Sequence, residues 1–398
     1  MAERKAIRLG SVVRTNVSTY SEKEGWAFVN YLDTGNITQD TISEIQRINV
    51  GTDKLPSRAR RKVQIGNIIY STVRPNQLHY GFIKSQPDNF LVSTGFAVID
   101  VNEKEAVPEY IYYFLTHRDV TERLQAIAEQ STSAYPSIKP SDIEDLTIDL
   151  PPIEEQRKIV GLLKMLDDKI KQNTEINNNL AEQSQAVLRL YMDSHPCYMK
   201  PLGEFAHIID CLHSKKPNSV TDTTKQLIQL NNILDTGFLD LTSKYYISES
   251  DYSNWTRKCE IVEGDCVITN VGRIGAVSQA PSGTHAAMGR NMTCVRLKAQ
   301  YPYPAYLITG FLSPHIQTEI KKNTDEGTIM GALNVKNIPL LQFPFFDETT
   351  MIALEDTLYP LRKSIELNYQ ENQKLSLLRD TLLPRLMSGE LDVSEIDI

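Results

Sequence analysis

Long apolar runs are missing from this sequence of 398 residues. A membrane-spanning helix needs ~18–20 consecutive apolar residues, and no stretch approaches that length. The first residues, MAERKAIRLGSVV, also lack the apolar core of a signal peptide. We therefore expect a cytoplasmic protein without a membrane partner. The length predicts two or more domains.

Cysteine is scarce and confined to the second half of the chain. There are five cysteines and no CxxC, which argues against a disulfide framework. His207, Cys211 and His213 are conceivable metal ligands, but no fourth ligand stands at a usual spacing. We predict neither a metal nor a cofactor.

Motifs of common catalytic sites are also absent. There is no GxxxxGK[ST], no GxGxxG and no GxSxG. The pair Pro151-Pro152 lies between Leu150 and Ile153, so it is not the Pro-Pro-aromatic motif of amino-methyltransferases. We predict a protein without catalytic residues; an enzyme with an unrecognised site is a rival hypothesis.

Charge is distributed unevenly along the chain. The net charge is −8. Residues 1–150 carry −2, residues 151–195 carry −1, residues 196–345 carry +1 and residues 346–398 carry −6. Because the two large segments are almost neutral, a local DNA-binding surface is compatible with the overall acidity.

The chain contains an internal repeat. Four stretches match in the same order: YLDTGNI (31–37) with ILDTGFL (233–239), IGNIIYSTVR (65–74) with EGDCVITNVGR (263–273), VPEYIYYFL (107–115) with YPAYLITGFL (303–312), and PSIKPSDIEDL (136–146) with GALNVKNIPLL (331–341). The offset shrinks from 202 to 195 along the chain. Each half has short β-rich runs, a helical pattern (near Glu109–Ala128 and Ala305–Lys322) and a proline-marked joint before a long helix.

The repeat predicts an α+β protein with four parts. Residues 1–150 form the first mixed segment and residues 196–345 form the second. Residues 151–195 form the central helix, and residues 346–398 form the C-terminal helix. We call 1–150 the first segment and 196–345 the second segment.

Both long helices carry a coiled-coil seam, with steps that alternate between four and three residues. The predicted seam positions are Leu163, Leu166, Ile170, Asn173, Asn177, Leu180 and Val187 in the first helix, and Leu358, Leu361, Ile365, Asn368, Asn372, Leu375 and Leu382 in the second. A seam asparagine fixes register at a cost in stability, so we expect the asparagines to pair near the centre of an antiparallel coiled coil. Replacing Asn173 and Asn368 by leucine should then raise thermal stability. Pro360 is expected to kink or restart the second helix. The alternative is that each helix buries one face against its own segment.

The stretch LPPIEEQRKIVGLLKMLDDKIKQNTEINNNLAEQSQAVLRLYM (150–192) resembles the central conserved region of type I restriction-modification specificity subunits. LLPRLMSGELDV (382–393) resembles the C-terminal counterpart, and YLDTGNIT, IIYSTVRPNQLHYGFI, VSTGFAVI and GRNMTCVRL resemble target-recognition stretches of that family. FPFFDETT departs from the family pattern at the second joint. The resemblance implies two target-recognition domains separated by an antiparallel coiled coil. It also implies double-stranded DNA, two methyltransferase subunits and, in the larger complex, restriction motor subunits as partners.

Candidate DNA-binding residues follow from side-chain chemistry, because mobile cations bind phosphate and Arg, Asn and Gln bond base edges. Candidates in the first segment are Arg58, Arg60, Arg61 and Lys62 in a predicted loop, Arg74, Asn76, Gln77, His79 and Tyr80 after a strand, and Ser131, Thr132 and Tyr135 in a polar loop. Candidates in the second segment are Lys215, Lys216, Asn270, Arg273, Arg290, Asn291 and Thr328. Ordinary turn formers and solvated cations are the alternative reading for each of them.

We expect each segment to read one half of a split, asymmetric DNA site, since the two segments share a pattern and differ in sequence. A coiled-coil scaffold that binds only proteins is the alternative function. The target sequence, the spacer length and the residues that dock the methyltransferase subunits cannot be read from the sequence. Nor can the choice between restriction and methylation alone.

Overall fold

The computed structural model describes residues 4–131, 135–325 and 331–393. The chain divides into two compact units. The first unit is Met1–Asp168 with Leu375–Ile398, and the second is Lys169–Lys374. Each unit therefore holds one segment together with parts of both long helices.

The first segment is built from short strands and three helices. Its strands are β1 (Lys5–Arg8), β2 (Val13–Thr15), β3 (Phe28–Leu32), β4 (Ile37–Thr38), β5 (Thr41–Ile42), β6 (Gln46–Asn49), β7 (Ala59–Lys62), β8 (Ile68–Ser71), β9 (Tyr80–Phe82), β10 (Phe90–Ser93), β11 (Phe96–Val101) and β12 (Thr147–Leu150). Its helices are α1 (Pro108–Thr116), α2 (Arg118–Glu129) and α3 (Pro140–Glu144), and the long helix α4 (Ile153–Ser194) follows.

Two four-stranded sheets form the centre of the first segment. One has the order β2-β11-β8-β9 and is antiparallel throughout. The other has the order β6-β3-β10-β7, in which β3 and β10 run parallel. Strands β8 and β10 are buried along their whole length, which explains the apolar runs IIY and FLV. Two further strand pairs, β1-β12 and β4-β5, complete the sheets of the described part.

The second segment has a matching set of elements. Its strands are β13 (Tyr198–Pro201), β14 (Ala206–Asp210), β15 (Gln226–Ile228), β16 (Glu260–Val262), β17 (Cys266–Thr269), β18 (Val277–Gln279), β19 (His285–Met288), β20 (Met292–Leu297), β21 (Thr324–Asp325), β22 (Ala332–Leu333) and β23 (Gln342–Phe345). Its helices are α5 (Leu202–Phe205), α6 (Glu249–Trp255), α7 (Pro304–Phe311) and α8 (Pro314–Lys322), and the long helix α9 (Glu348–Ser388) follows. The sheet β14-β20-β17-β18 repeats the order of β2-β11-β8-β9, and β15-β19 repeats the parallel pair β3-β10.

The strand pairing changes one of the predicted repeat matches. Leu32 pairs with Val92 at the end of β3, and Ile228 pairs with Met288 at the end of β15, so the equivalent residues are 196 positions apart. YLDTGNI (31–37) therefore corresponds to LIQLNNI (227–233) and not to ILDTGFL. The prediction failed because the shared letters DTG occur in two different turns. Thr34–Asn36 follows β3, whereas 235–237 lies between the bridged residues Ile233 and Leu239.

Each predicted helical pattern after the sheets is two helices rather than one. In the first segment the break falls at His117, whose imidazole accepts a hydrogen bond from the Asp119 amide (3.3 Å) and caps α2. In the second segment Ser313 caps α8 in the same way, accepting from the Ile316 amide (3.3 Å), and Pro314 follows it. A capping side chain starts a new helix where apolar periodicity alone suggests continuation.

The long helix α9 runs from Glu348 to Ser388 and includes Pro360. The helix therefore does not restart at Pro360, and the other expectation, a kink there, stays a prediction. Near its ends each long helix packs into a segment core. Ile159, Leu163 and Leu386 belong to the core of the first segment, and Leu354 and Leu358 belong to that of the second. The alternative reading, burial of each helix against its own segment, holds for the first turns of both helices, whereas Leu386 near the end of α9 packs into the first segment.

Asparagine pairs lie on the predicted seam of the second unit. Asn173 Nδ2 donates to Asn372 Oδ1 (2.9 Å) and to Glu371 Oε2 (2.7 Å). Asn368 Nδ2 donates to Asn177 Oδ1 (2.9 Å), and Asn177 Nδ2 donates to the Ile365 carbonyl (3.3 Å). Later residues of α4 face earlier residues of α9, so the two helices are antiparallel. Every other predicted seam position is buried or half-buried.

No helix within the described ranges combines the length and the apolar character needed to cross a bilayer. The predicted cytoplasmic location and the predicted boundaries at residues 150, 195 and 345 remain predictions.

Glu355 gives the second unit a pH-dependent stability. Its buried carboxylate accepts hydrogen bonds from the amides of Ala305 (2.9 Å) and Tyr306 (2.8 Å) at the start of α7. Burial raises the pKa of Glu355 from 4.5 to about 7, against the effect of the two amides. The folded chain therefore holds a proton that the unfolded chain loses between pH 4.5 and about pH 7. Its free energy of unfolding should fall as pH rises through that window, by at most about 3 kcal/mol.

Glu355→Gln should remove this pH dependence, because glutamine does not ionise. Urea unfolding at about pH 5 and about pH 7.5 measures it. Glu348→Gln, in the exposed first turn of α9, is the matched control. A pH slope that survives in Glu355→Gln and disappears in Glu348→Gln would contradict the assignment.

Candidate nucleic-acid interface

Four loops of the first segment meet at one place. The Thr72 amide donates to the Gly95 carbonyl (2.8 Å), the Arg74 amide to the Pro136 carbonyl (2.9 Å), and the Thr94 amide to the Arg58 carbonyl (2.8 Å). We call residues 58, 72–77, 94–95 and 135–137 the first loop cluster. The cluster brings together Arg58, Arg74 and Tyr135, which are far apart in the sequence.

Arg74 is held at the surface of this cluster by its backbone and by an aromatic ring. Its φ of 49° places it in the left-handed region, and Pro75 follows it. The guanidinium lies 5.0 Å from the centre of the Tyr135 ring, and that ring is exposed. Arginine stacked on an aromatic ring is partly ordered before it meets a ligand, which lowers the entropic cost of binding.

The remaining candidates beside this cluster differ in accessibility. Asn76 and Gln77 are exposed. Ser131 is half-buried, and its Oγ accepts from the Ser137 amide (3.3 Å). Thr132 lies outside the described residues.

His79 and Tyr80 are placed differently from the prediction. Tyr80 is buried in the hydrophobic core and stacks on Tyr70, with ring centres 5.8 Å apart. His79 is half-buried, and its Nδ1 lies 2.6 Å from the Ile37 carbonyl oxygen. Tyr80 therefore does not contribute a DNA-contacting side chain, because β9 directs it into the core.

In the basic run RARRK, Arg58 lies in the predicted loop, but Arg60, Arg61 and Lys62 lie on strand β7. Arg60 pairs with Glu22 (2.9 Å), and Lys62 pairs with Glu24. The hydrogen bond from Lys62 lowers the pKa of Glu24. Arg61 is half-buried on the same strand, and this burial lowers its pKa. Only Arg58, just before β7, is an exposed arginine of the run. The acidic neighbours explain why clustered cations in sequence do not form a free basic patch here.

The second segment has an equivalent group of loops. The Asn270 amide donates to the Asn291 carbonyl (2.8 Å), the Leu333 amide to the Asn270 carbonyl (2.9 Å), and the Gly289 amide to the Ile228 carbonyl (2.9 Å). We call residues 229, 270–273, 289–291 and 332–333 the second loop cluster. Arg290 is exposed here, and Asn291 has a φ of 63°.

Asn270 is a structural residue in this cluster. Its side chain is 7% exposed; Nδ2 donates to the Leu333 carbonyl (3.0 Å), and Oδ1 accepts from Thr293 Oγ1 (2.9 Å). The prediction that Asn270 reads a base edge was wrong, because both ends of its amide are bonded inside the fold. Thr328 lies outside the described residues.

Arg273 is ordered by the residues around it. Nη1 donates to the Ile233 carbonyl (2.6 Å), and Nη2 pairs with the Asp235 carboxylate. Its side chain is 45% exposed. A guanidinium has five N–H donors, so the two bonds leave it donors for a ligand.

The predicted lysines lie on the loop that follows β14. Lys216 Nζ donates to Gln229 Oε1 (2.6 Å) and sits 3.8 Å from the centre of the Tyr245 ring. Lys215 is exposed. The contact with Gln229 joins Lys216 to the second loop cluster.

Two residues that the sequence did not single out enter this surface. Gln229 follows β15, in the position that Asp33 takes after β3. Asp235 pairs with Arg273. The parallel strand pair is the signal for Gln229, since residues that follow adjacent parallel strands emerge at the same sheet edge. Asp235 lies in the later turn 234–237, for which the sequence carries no such signal.

Two groups of possible metal ligands occur in the described part of the chain. Asp210, Cys211 and His213 form one, and Cys259, Asp265 and Cys294 form the other. His207 belongs to neither group. In the second group Arg296 donates to both Asp265 oxygens (2.8 and 2.6 Å) and to Cys259 Sγ (3.7 Å). A guanidinium already neutralises that carboxylate, so we infer no metal there.

Comparison with known proteins identifies the family. The profile described as "Type I restriction modification DNA specificity domain" matches residues 7–182. The specificity subunit of the type I restriction enzyme HindI from Haemophilus influenzae is 31% identical over 465 residues, and the alignment covers 98% of this chain and 100% of that relative. The chain belongs to the type I restriction-modification specificity subunits.

Other comparisons agree with that membership. The MjaIX specificity subunit from Methanocaldococcus jannaschii is 23% identical over 420 residues, which cover 98% of this chain and 93% of that one. A crystal structure of the type I system S subunit from M. genitalium matches the fold with a TM-score of 0.55 at 14% identity, over 97% of this chain and 96% of that one. The predicted α+β fold with two long antiparallel helices is confirmed. As a specificity subunit the chain is a non-catalytic recognition subunit, and the protein-only scaffold is not favoured.

Proposed function

We propose that this specificity subunit recognises a split, asymmetric site on double-stranded DNA, with the first loop cluster reading one half and the second loop cluster reading the other. The observation that carries the proposal is that both loop clusters place arginines at the protein surface. In the first segment Arg58 is exposed and Arg74 is half-buried against the exposed Tyr135 ring, and in the second segment Arg273 and Arg290 are exposed.

The two surfaces differ in chemistry at equivalent positions. With the offset of 196, Thr94 of the first loop cluster corresponds to Arg290 of the second, and Asp33, which follows β3 beside the first cluster's sheet, corresponds to Gln229. A carboxylate only accepts hydrogen bonds, a side-chain amide both donates and accepts them, and arginine only donates them. Different donor and acceptor patterns select different base edges in the major groove. The two half-sites should therefore differ in sequence.

The long helices complete the proposed complex. The antiparallel seam fixes the register of α4 against α9, and this register would set the spacer between the half-sites. Methyltransferase subunits, two per specificity subunit, would dock around the helices, and restriction motor subunits would join in the full complex. The chain itself would supply recognition, and its partners the chemistry.

Mapping methylated bases tests this function directly. The chain is expressed with its cognate methyltransferase subunits, and methylation is mapped across the host genome. We expect a split motif with methylation in both halves. Exchanging residues 196–345 for the corresponding segment of a relative should change one half and leave the other. A continuous motif, or no methylation by an assembled complex, would contradict the proposal.

Single arginine replacements test the two surfaces separately. Arg58→Ala and Arg290→Ala should each weaken DNA binding, since both remove an exposed cation. If the lost contact is to phosphate, the slope of log affinity against log salt should fall by about 0.9. Affinity measured from about 50 to 200 mM salt gives that slope. Arg118→Ala, in the exposed first turn of α2, is the matched control. An equal loss in the control would mean that net charge, and not these loops, governs affinity.

A further inference from the structure

Arg362 of helix α9 reaches into the second segment. Its guanidinium donates to the Gly237 carbonyl and to Gln279 Oε1 (3.3 Å), and it stacks 3.7 Å from the centre of the Phe238 ring. Burial lowers the pKa of Arg362 to about 10, so the group is still charged at neutral pH. A half-buried cation that keeps its charge inside the fold needs well-placed partners, and these three supply them.

Side chains on neighbouring turns of α9 contact the second segment near the residues that Arg362 contacts. Tyr369 stacks on Phe238 with ring centres 5.5 Å apart, and its hydroxyl donates to Asp240 Oδ1 (3.2 Å). Lys363 Nζ donates to Ser282 Oγ (2.8 Å), and Glu366 Oε1 accepts from the Ser282 amide (3.0 Å). The helix is therefore joined to two loops by several directional contacts, beyond apolar packing.

The turn that Arg362 holds also carries the partner of Arg273. Residues 234–237 form this turn, and the Gly237 amide closes it on the Leu234 carbonyl (3.2 Å). Gly237 has a φ of 77°, which suits glycine. At the other side of the turn Asp235 pairs with Arg273. A continuous path of bonded groups thus runs from α9 through the turn to a candidate DNA-binding side chain.

The first segment fastens its equivalent turn in another way. Asp40 lies in the turn between β4 and β5, where Oδ1 accepts from the Phe82 amide (2.8 Å) and Oδ2 pairs with Lys84 (2.5 Å). The residue 195 positions before Arg362 is Asp167, which bonds the Tyr113 hydroxyl (2.7 Å) and Arg379 (2.8 Å). In the second unit the turn is hydrogen-bonded to the long helix α9. In the first unit the equivalent turn is bonded to β9 and to Lys84 of its own segment.

We propose that Arg362 and Asp235 are positioning residues that hold Arg273 in a fixed orientation, so that helix α9 sets the base-reading geometry of the second segment. The proposal rests on the proposed function, because it assumes that Arg273 meets DNA. Arg273 would donate to a guanine edge, the acceptor pair that arginine recognises in the major groove. A side chain held within a narrow range of orientations discriminates between bases better than a mobile one, since a mobile one adapts to the wrong base.

The test uses the assembled complex and compares discrimination in the two half-sites. Exchanging residues 196–345 for the corresponding segment of a relative first identifies the half-site that the second segment reads. Arg362→Met keeps an unbranched apolar stem and removes the guanidinium with its charge and its donors. Lys363→Met is the matched control. Lys363 lies on the same helix turn as Arg362, and its replacement removes a hydrogen bond to Ser282 but none to residues 234–237. Asp235→Asn, at an exposed position, provides a second variant that does not disturb the core.

Discrimination is measured as the ratio of methylation at the correct base to methylation at each substituted base. Arg362→Met and Asp235→Asn should lower this ratio by about tenfold at one position or more of the second half-site. The first half-site and the Lys363→Met complex should keep the wild-type ratios, and Arg362→Lys should restore part of the loss. Equal losses in both half-sites would show a general loss of stability and would overturn the proposal, as would unchanged ratios in Asp235→Asn. A wild-type complex without a split motif would instead refute the proposed function.

Discussion

Gly289→Ala is expected to destabilise the second unit by about 3 kcal/mol, near the upper end for overpacking. A Cβ at residue 289 would lie 2.3 Å from the Ile228 carbonyl oxygen and 3.1 Å from Met292 Cε. The Gly289 amide donates to that same carbonyl, and Ile228 is paired with Met288 in the β15-β19 ladder. The backbone therefore cannot yield without breaking the parallel strand pair. Because Arg290 follows directly, DNA binding by the second loop cluster should be lost as well.

Chemical unfolding of the full chain measures this effect. Gly35→Ala is the matched control, since a Cβ there would meet nothing within 4 Å. Gly35 also follows a parallel strand, so the comparison isolates the close approach of two backbones. An equal stability loss in both variants would mean that glycine flexibility, and not the approach to Ile228, is what matters.

Local signals in the sequence predicted the large elements of the fold. Prolines mark the joints, and the long helices begin just after them, at Ile153 and Glu348. Apolar and asparagine residues at alternating steps of three and four predicted the seam of the two long helices, because the direction of a side chain in a helix follows from sequence spacing. The internal repeat also predicted two similar segments, and the matching strand orders agree with it.

The details of the candidate surface depend on tertiary contacts that spacing does not encode. Asn270 and Tyr80 follow or begin strands just as Arg74 does, yet both point into the interior. Two of the four cations of RARRK, Arg60 and Lys62, pair with Glu22 and Glu24, which stand 38 residues earlier in the chain. Likewise the shared letters DTG suggested that residues 31–37 match 233–239, whereas strand pairing matches them with 227–233, six residues earlier. Strand register is fixed by pairing partners, so a single sequence leaves it open.

Asn173→Leu is expected to lower the melting temperature of the chain, while Asn173→Leu with Asn372→Leu should restore or raise it. The single replacement leaves Asn372 Oδ1 without its donor and removes a bond to Glu371. An unsatisfied buried polar group costs about 1–3 kcal/mol, whereas replacing both partners by apolar groups is close to neutral. A double-mutant cycle should therefore show a coupling of about 0.5–3 kcal/mol.

The facing pairs also revise the expectation drawn from the repeat. Asn173 and Asn368 occupy equivalent positions in the two helices but bond to different partners, Asn372 and Asn177. Replacing both by leucine would leave two amide oxygens without donors, so the melting temperature should fall rather than rise. Asn178→Leu, at an exposed position of α4, is the control and should change stability little. If Asn173→Leu alone raised the melting temperature, the amide pairs would not stabilise the folded chain, and their contribution would be confined to fixing register at a cost in stability.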